Sequence, residues 1–478
     1  MKLSETPGID LACLHERFEN LRLNFAGQEN LIEELQRFVS TAADAQIVRI
    51  NPIQYAKAHS RPEALVIDLF LHARKAGLLT MEWQYVCRGC GSIVGSFDTL
   101  DAAGGHFQCN VCIATRETDL SDFVEVGFSV SKTVRESRFH TPENLSAEEL
   151  WQYMVSANAV WTDGTKLRDF YRQHSLFIVY VEPGEVKSFP IELEPGFIGL
   201  MQGPELIIRS NSDNKLAKLH FTHRDGRPPE DTQTVAPGPL IYELTNASAV
   251  RIMASAFFVS LQEMRAQKNK TSSIALTSFL SGARLLSTQS FLDLFPSEAV
   301  MGAGGLTLKR IAFLFTDIQG STALYERIGD LRAFDLVRQH FAVLRDVITA
   351  NHGALVKTIG DAVMASFHEP ADALHAALEM REQISRFNTS VGEELITLKI
   401  GAHMGQCLAV TMNGVLDYFG QTVNIAARVQ GLAQANEICL TDAIFTLPGV
   451  PELLGTRACT SQSVQIKGLA QAIALHTL

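Results

Sequence analysis

Long hydrophobic runs are missing from this chain. None of its apolar stretches, Leu176–Val181 and Ala254–Leu261 among them, approaches the roughly 20 residues that a membrane-spanning helix needs. An apolar leader is missing as well. The opening MKLSETPGIDLACLHERFE has no hydrophobic core and carries acids early, so no secretory signal is expected and a cytoplasmic location is. Positive charge is in short supply. Lys and Arg number 41 against 52 Asp and Glu, a formal net charge of −11, which disfavours non-specific binding to nucleic acid or an anionic membrane by the molecule as a whole. Cysteine amounts to eight residues in 478. In a reducing compartment these are expected as metal ligands or buried thiols and not as disulfides. Internal repeats are absent. What is present is ordinary globular sequence, 46% hydrophobic and 19% charged. The chain is too long for one core, so about two to four domains are expected.

Taken in order, residues 1–80 read as helical. Leu31, Leu35, Phe38 and Val39 recur at helical spacing, as do Leu65, Leu69, Ala73 and Ala76, with Pro62 suited to a helix start and Gly77 to its end. The strand-like run Thr80–Val86 follows, which suggests a winged-helix-like unit or a small helical packing module. DNA binding by it lacks the cluster of Lys and Arg it would need. Residues 81–121 hold CRGC and CNVC. Each Cys-x-x-Cys is a tight knuckle whose two thiolates reach one ion, so Cys87, Cys90, Cys109 and Cys112 are expected to hold one structural Zn²⁺ per chain in a zinc-ribbon-like module. Four sulfurs fill a tetrahedral sphere and leave no catalytic position. The loop Ser92–Phe107 carries acids and no Lys or Arg, which favours stapling over nucleic-acid contact.

Residues 122–261 turn to short strands broken by Pro and Gly, the pattern of a mostly-β sandwich or small barrel, and suit either a sensor domain or a packing platform. Residues 262–306 form a connector. Gln262–Ser273 is polar, the spacing of Leu276, Phe279, Leu280 and Leu286 predicts a coupling helix over Ile274–Phe295, and MGAGG at 301–305 reads as a flexible hinge.

The chemistry is concentrated in Ile311–Phe367. Asp317 follows the apolar run Ile311–Phe315, and Gly320, Ser321 and Thr322 follow Asp317: strand, tight turn, helix start. Such a turn aims backbone N–H groups outward, where they cradle phosphate. Leu355–Ile359, Gly360-Asp361 and Ala362–Phe367 read as a hairpin with an aspartate at its tip. Neighbouring strands would bring Asp317 and Asp361 to one sheet edge, a hard oxygen set suited to Mg²⁺ or Mn²⁺. From Thr307 on, helices are expected at Ser321–Gly329, Leu331–His352, Pro370–Phe387 and Gly420–Ala433. Strands are expected at Leu395–His403, Leu408–Met412, Ser463–Lys467 and Ala472–Thr477. This order reads as a ferredoxin-like βαββαβ core with additions, and the whole chain as multidomain α+β.

FTDIQGST, VKTIGDAVMASF, KIGAHMG, LDYFGQTVNIAARV and VQIKG, in this order, resemble the catalytic domain of class III adenylate and guanylate cyclases over about residues 307–478. The resemblance implies that Asp317, Asp361 and the Ile318 carbonyl bind two Mg²⁺ or Mn²⁺ per active site. It implies that Lys357 and Asp417 select the purine, Lys donating to adenine N1 and Asp accepting from the 6-amino group, where guanylate cyclases carry Glu and Cys-like residues. Asn424 and Arg428 match the pair that orients the ribose and stabilises the α-phosphoryl transition state, and Lys467 the lysine on the triphosphate. Tyr418-Phe419 stands in place of the commoner aliphatic-Trp pair. In the family the metal aspartates come from one catalytic domain and the purine and transition-state residues from its partner, so a homodimer is implied. The expected activity is conversion of ATP to 3′,5′-cyclic AMP and pyrophosphate, set by an unknown regulatory ligand or protein at the N-terminal region, with no membrane or nucleic-acid partner. The alternatives are a guanylate cyclase, a catalytically silent nucleotide-binding signalling protein, and a zinc-ribbon transcription factor with a cyclase-like ligand domain.

Overall fold

The computed structural model describes residues 8–98, 106–109, 115–117, 123–224, 232–263, 274–296, 306–391, 396–412, 414–466, 469 and 471–478. It is a mixed α+β protein with several sheets. The helices Leu11–Asn24, Glu29–Thr41, Pro52–Ala58 and Glu63–Lys75 come first. Asp10 accepts a hydrogen bond from the Cys13 N–H, and Asn51, just before Pro52, accepts from Ile53 and Gln54. Both caps satisfy N–H groups that a helix start leaves without intrahelical partners. Phe18, Leu21, Ile32, Leu35 and Phe70 turn inward onto a three-stranded antiparallel sheet, ordered Ile93–Phe97, Leu79–Val86, Val124–Val130.

Two further sheets face each other in the middle of the chain. One runs Gln233–Val235, Leu206–Ile208, Gly196–Leu200, Ile252–Ser260, Ser175–Val181, and the other Lys218–His223, Gly238–Asn246, Val186–Leu193. Alternation along Gly238–Asn246 sends Leu240, Tyr242 and Leu244 into the shared core, where they meet Ile198, Leu206 and Val235. Phe177, Phe189 and Tyr242 stack across it.

Residues 274–296 are not the single coupling helix that apolar spacing predicts. Ile274–Leu276 is a strand paired with Ala159–Trp161, and Ser278 takes a φ of 55°. Two short helices follow, Gly282–Leu286 and Gln289–Leu294. Ser281 caps the first by accepting from the Arg284 N–H at 3.1 Å, and Ser287 and Thr288 bond back to the Ala283 and Arg284 carbonyls at its end. Serine and threonine compete with the helix ladder for backbone groups, and here they win. The 301–305 hinge lies outside the described residues.

The C-terminal sheet is built on the strand Leu306–Ile318. Ala362–Phe367 and then Gly353–Ile359 lie to one side of it, and Leu398–Met412, Ile438–Thr441, Ile473–Thr477 and Thr460–Val464 to the other. Val415–Phe419 folds back onto the end of Leu398–Met412. The sequence suggests two strands within 395–412, but one continuous strand of 15 residues runs through. Glycine explains it: a Cβ on Gly401 would come within 2.1 Å of the Gln430 backbone nitrogen, so the strand passes unbroken beneath the helix Gln421–Leu432. The other late strand lies at Thr460–Val464, slightly ahead of its expected place.

Both faces of this sheet are covered, which is why Ile311–Phe315 is apolar throughout and not alternating. Ala312 and Leu314 pack under the helices Asp330–Ala350 and Pro370–Val391. Phe313, Phe315 and Met364 face the other way and share one continuous core with Leu286, Phe291 and the N-terminal helices. Polar contacts cross the same junction. The Tyr418 hydroxyl donates to the Leu286 carbonyl at 3.2 Å, the Leu355 N–H donates to Gln289 Oε1 at 2.7 Å, and Arg345 pairs with Asp293. Among the described residues no helix is long and apolar enough to cross a membrane.

Candidate active site

The register of the central strands assembles the acidic end of the site. Thr316 stands opposite Val363, so Asp317 falls beside the Gly360-Asp361 hairpin loop, whose tightness relies on Gly360 at φ 64°. Ile318 ends the strand, buried, and Gly320 turns the chain through φ 65° into the helix Ser321–Ile328. The first N–H groups of that helix, at Ser321 and Thr322, have no intrahelical acceptors and are free to meet an anion.

Burial raises the Asp317 pKa, the charge of Asp361 raises it further, and Lys399, 3.9 Å away, partly offsets both. Asp361 has a buried Oδ2 with no hydrogen-bond partner among the described residues. Two mutually repelling carboxylates, one with an orphaned oxygen, beside a buried strand-end carbonyl form a donor set that fits a hard divalent cation.

Three side chains that the sequence reading does not single out surround this pair. Lys399 stands opposite Asp317 in the strand register. Gln430 reaches toward Asp317 from the helix Gln421–Leu432, although its buried Nε2 closes no well-formed hydrogen bond. Tyr325 lies close enough to both carboxylates that, after burial, their charges help raise its pKa. Strand pairing and helix docking place these residues, and neither is visible in a linear motif.

The second cluster joins Lys357 and Asp417, which are 60 residues apart. Lys357 Nζ lies 2.5 Å from Asp417 Oδ2, with the lysine side chain 41% exposed and the aspartate 11%. Asp417 Oδ1 also accepts from the Tyr418 N–H at 2.8 Å. The Tyr418-Phe419 pair splits between two environments: Tyr418 packs edge-on against Phe313, while Phe419 is 66% exposed. Asn424 and Arg428 lie one turn apart on the exposed face of Gln421–Leu432. Neither side chain has a polar partner among the described residues. Lys467 lies outside the described residues.

In the N-terminal region, Cys87, Cys90 and Cys109 bring their sulfurs within 4.8 Å of one another, all three buried. Cys90 Sγ is 3.6 Å from Cys109 Sγ, and the Gly89 N–H points to Cys87 Sγ at 3.4 Å. Cys112 lies outside the described residues.

Comparison with known proteins finds two family matches. Residues 15–293 match a family of unknown function (DUF5939), and residues 307–472 match the adenylate and guanylate cyclase catalytic domain. An adenylate cyclase of Anabaena cylindrica is 29% identical over 188 residues, covering 36% of this chain and 37% of that protein. Adenylate cyclase 2 of Rhizobium meliloti is 32% identical over 180 residues, covering 35% and 49%. The match thus spans less than half the length of either relative. Among solved structures, the adenylyl cyclase CyaB from P. aeruginosa covers 36% of this chain and 94% of its own, at 19% identity and a TM-score of 0.33.

Proposed function

The chain belongs to the DUF5939 family and carries a class III adenylate and guanylate cyclase catalytic domain at residues 307–472, and from there we propose that it is an adenylate cyclase. It converts ATP to 3′,5′-cyclic AMP and pyrophosphate, and the DUF5939 region sets the rate. The observation that carries the choice of ATP is the Lys357–Asp417 pair. It presents a donor and an acceptor side by side, matching adenine N1 and the 6-amino group. Guanine reverses that polarity and would leave both groups unpaired, a strong basis for discrimination.

Asp317, Asp361 and the Ile318 carbonyl would hold the two Mg²⁺ or Mn²⁺ ions. When bound, these ions make the ribose 3′-hydroxyl more acidic and neutralise charge on the triphosphate. The N–H groups of Gly320, Ser321 and Thr322 receive phosphate oxygens. Asn424 orients the ribose, Arg428 stabilises the charge that develops at the α-phosphoryl group, and Lys467 engages the triphosphate. The partnerless Asn424 and Arg428 support a homodimer in which each chain lends these residues to the other. The sheet order Gly353–Ile359, Ala362–Phe367, Leu306–Ile318, Leu398–Met412 supports the ferredoxin-like reading of the domain.

The three gathered thiols support one structural Zn²⁺ per chain, with Cys112 as the fourth ligand. Elemental analysis should find one zinc per chain. Zinc-free protein with four freely reactive thiols would contradict that. A cytoplasmic location completes the reading. Incubating the purified full-length chain with ATP or GTP, each with Mg²⁺ or Mn²⁺, tests the main claim. Cyclic AMP from ATP is expected, and a preference for GTP would overturn it.

A further inference from the structure

A cavity of about 410 Å³ opens between the helices Glu29–Thr41 and Pro52–Ala58, the strands Leu79–Val86 and Val124–Val130, and the segment from Glu149 to Arg168. Its size is that of a small-molecule site. It lies wholly in the DUF5939 region, away from the aspartates and the Lys357–Asp417 pair.

Its polar lining sets Arg49, Arg168 and Gln84 beside the acids Glu125 and Glu149. Gln84 is 2% exposed, and its buried Nε2 has no hydrogen-bond partner among the described residues. Arg49 stacks on Tyr153, 3.6 Å above the ring, and gives Nη1 to the Tyr153 carbonyl at 2.8 Å. Its buried Nε forms an ion pair with Glu82 at 3.6 Å without closing a hydrogen bond. Arg168 gives Nε to the Val155 carbonyl at 2.6 Å. Burial draws its pKa down to about 10, with Glu125 opposing and the like charge of Arg49 adding to the effect. Glu125, the carboxyl between these arginines, is buried and bound by Ser156 Oγ at 2.5 Å, and burial pushes it toward the neutral form. Glu149, the other acid of the lining, is engaged by Ser146 and Arg138. The apolar walls include four rings, Phe38, Tyr55, Phe139 and Tyr153. Two guanidiniums and an unpaired amide facing flat rings are the complement of a flat body bearing a carboxylate, which arginine grips with two parallel N–H bonds.

We propose that this cavity binds a small planar organic carboxylate and that its occupancy is relayed to the C-terminal domain through residues 278–294. The relay is built from the cavity's own wall. Asn51 donates to the Ser278 carbonyl at 2.7 Å and to Asn158 Oδ1 at 2.9 Å, and the N–H of Val126, next to Glu125, donates to the Leu280 carbonyl at 2.8 Å. The chain then runs directly into the two short helices whose Leu286 and Gln289 hold Tyr418 and Leu355. Tyr418 adjoins Asp417. The relay rests on the cyclase reading, whereas the binding does not.

The test uses the full-length chain with benzoate, 4-hydroxyphenylacetate and indole-3-acetate, their neutral amides, and inorganic phosphate, read by calorimetric titration and melting temperature. At least one carboxylate should bind at one site per chain, about tenfold or more tighter than its amide. Arg168→Gln should weaken it by about tenfold or more. Gln84→Leu should weaken it too, while the unliganded variant melts at or above the parent, because a buried unpaired amide has been removed. No binding by any of the three acids, equal binding of acid and amide, binding of phosphate alone, or parental affinity in both variants would overturn the site. If the acid binds, cyclic AMP production should change in the parent and not in Gln84→Leu. Binding without that change, in a chain that makes cyclic AMP, would overturn the relay. A chain that makes no cyclic AMP would indict the cyclase reading and leave the binding result standing.

Discussion

Asp361 holds one carboxylate oxygen buried and unpartnered, and its charge disfavours the ionised form of Asp317. That arrangement costs stability unless a cation occupies it. Asp361→Asn should therefore melt at a higher temperature than the parent in the presence of a chelator, while turnover falls by about 10²-fold or more. A variant that both melts lower and keeps more than about a tenth of its activity would remove the metal role. The Lys357–Asp417 pair makes a different prediction. Lys357→Glu with Asp417→Cys should cost roughly 10²-fold or more with ATP and raise relative turnover of GTP. Competing the two nucleotides in one assay would show it, and an unchanged preference would mean that the pair is an ordinary ion pair. Glu125 adds a pH signature. Its pKa is raised in the folded state, so its stability penalty is present above that raised value and vanishes below the unfolded value of about 4.3. Glu125→Gln should accordingly stabilise the chain at neutral pH and lose that advantage in acid, as melting curves across pH would record.

The two short helices Gly282–Leu286 and Gln289–Leu294 are joined to the catalytic sheet by few polar contacts, and the Tyr418 hydroxyl is the most buried of them. Tyr418→Phe should cost about 1 kcal/mol, since it strands the Leu286 carbonyl. Denaturant unfolding would measure this, and no loss would mean that water or another donor replaces the phenol. These helices show where linear pattern misleads. Leu276, Phe279, Leu280 and Leu286 have helical spacing, but Ser281, Ser287 and Thr288 tie up the backbone and break the run into a strand, a turn and two helices. Leu398–Met412 shows the opposite error. Gly401 and Gly405 let it run through, because Gln430 and Thr422 pack against the strand there and leave no room for a Cβ.

At the scale of the whole molecule, a cyclase catalytic domain has a large region docked on one face of its sheet. If Asp317 and Arg428 of one site come from different chains, mixing Asp317→Ala with Arg428→Ala should restore activity. Random pairing makes about half the dimers mixed, each with one intact site, so roughly a quarter of parental turnover should return. No recovery, with subunit exchange shown separately, would place each site within one chain.

Local pattern alone singles out Asp317, after a strand, Asp361, at a hairpin tip, and the two Cys-x-x-Cys pairs, whereas Lys357, Asp417, Asn424 and Arg428 are named only through the likeness to class III cyclases, and the roles of all of them are proposals. Lys399, Gln430 and Tyr325 escaped that reading because they reach Asp317 only through strand register and helix docking, which depend on residues far along the chain. The same holds for the cavity at Gln84, Arg49 and Arg168, whose walls come from helices and strands spread between Phe38 and Arg168. It holds above all for the covering of Phe313 and Phe315 by Leu286 and Phe291. An apolar run announces that both faces of a strand are buried, but what buries them is decided by packing between segments that no local pattern connects.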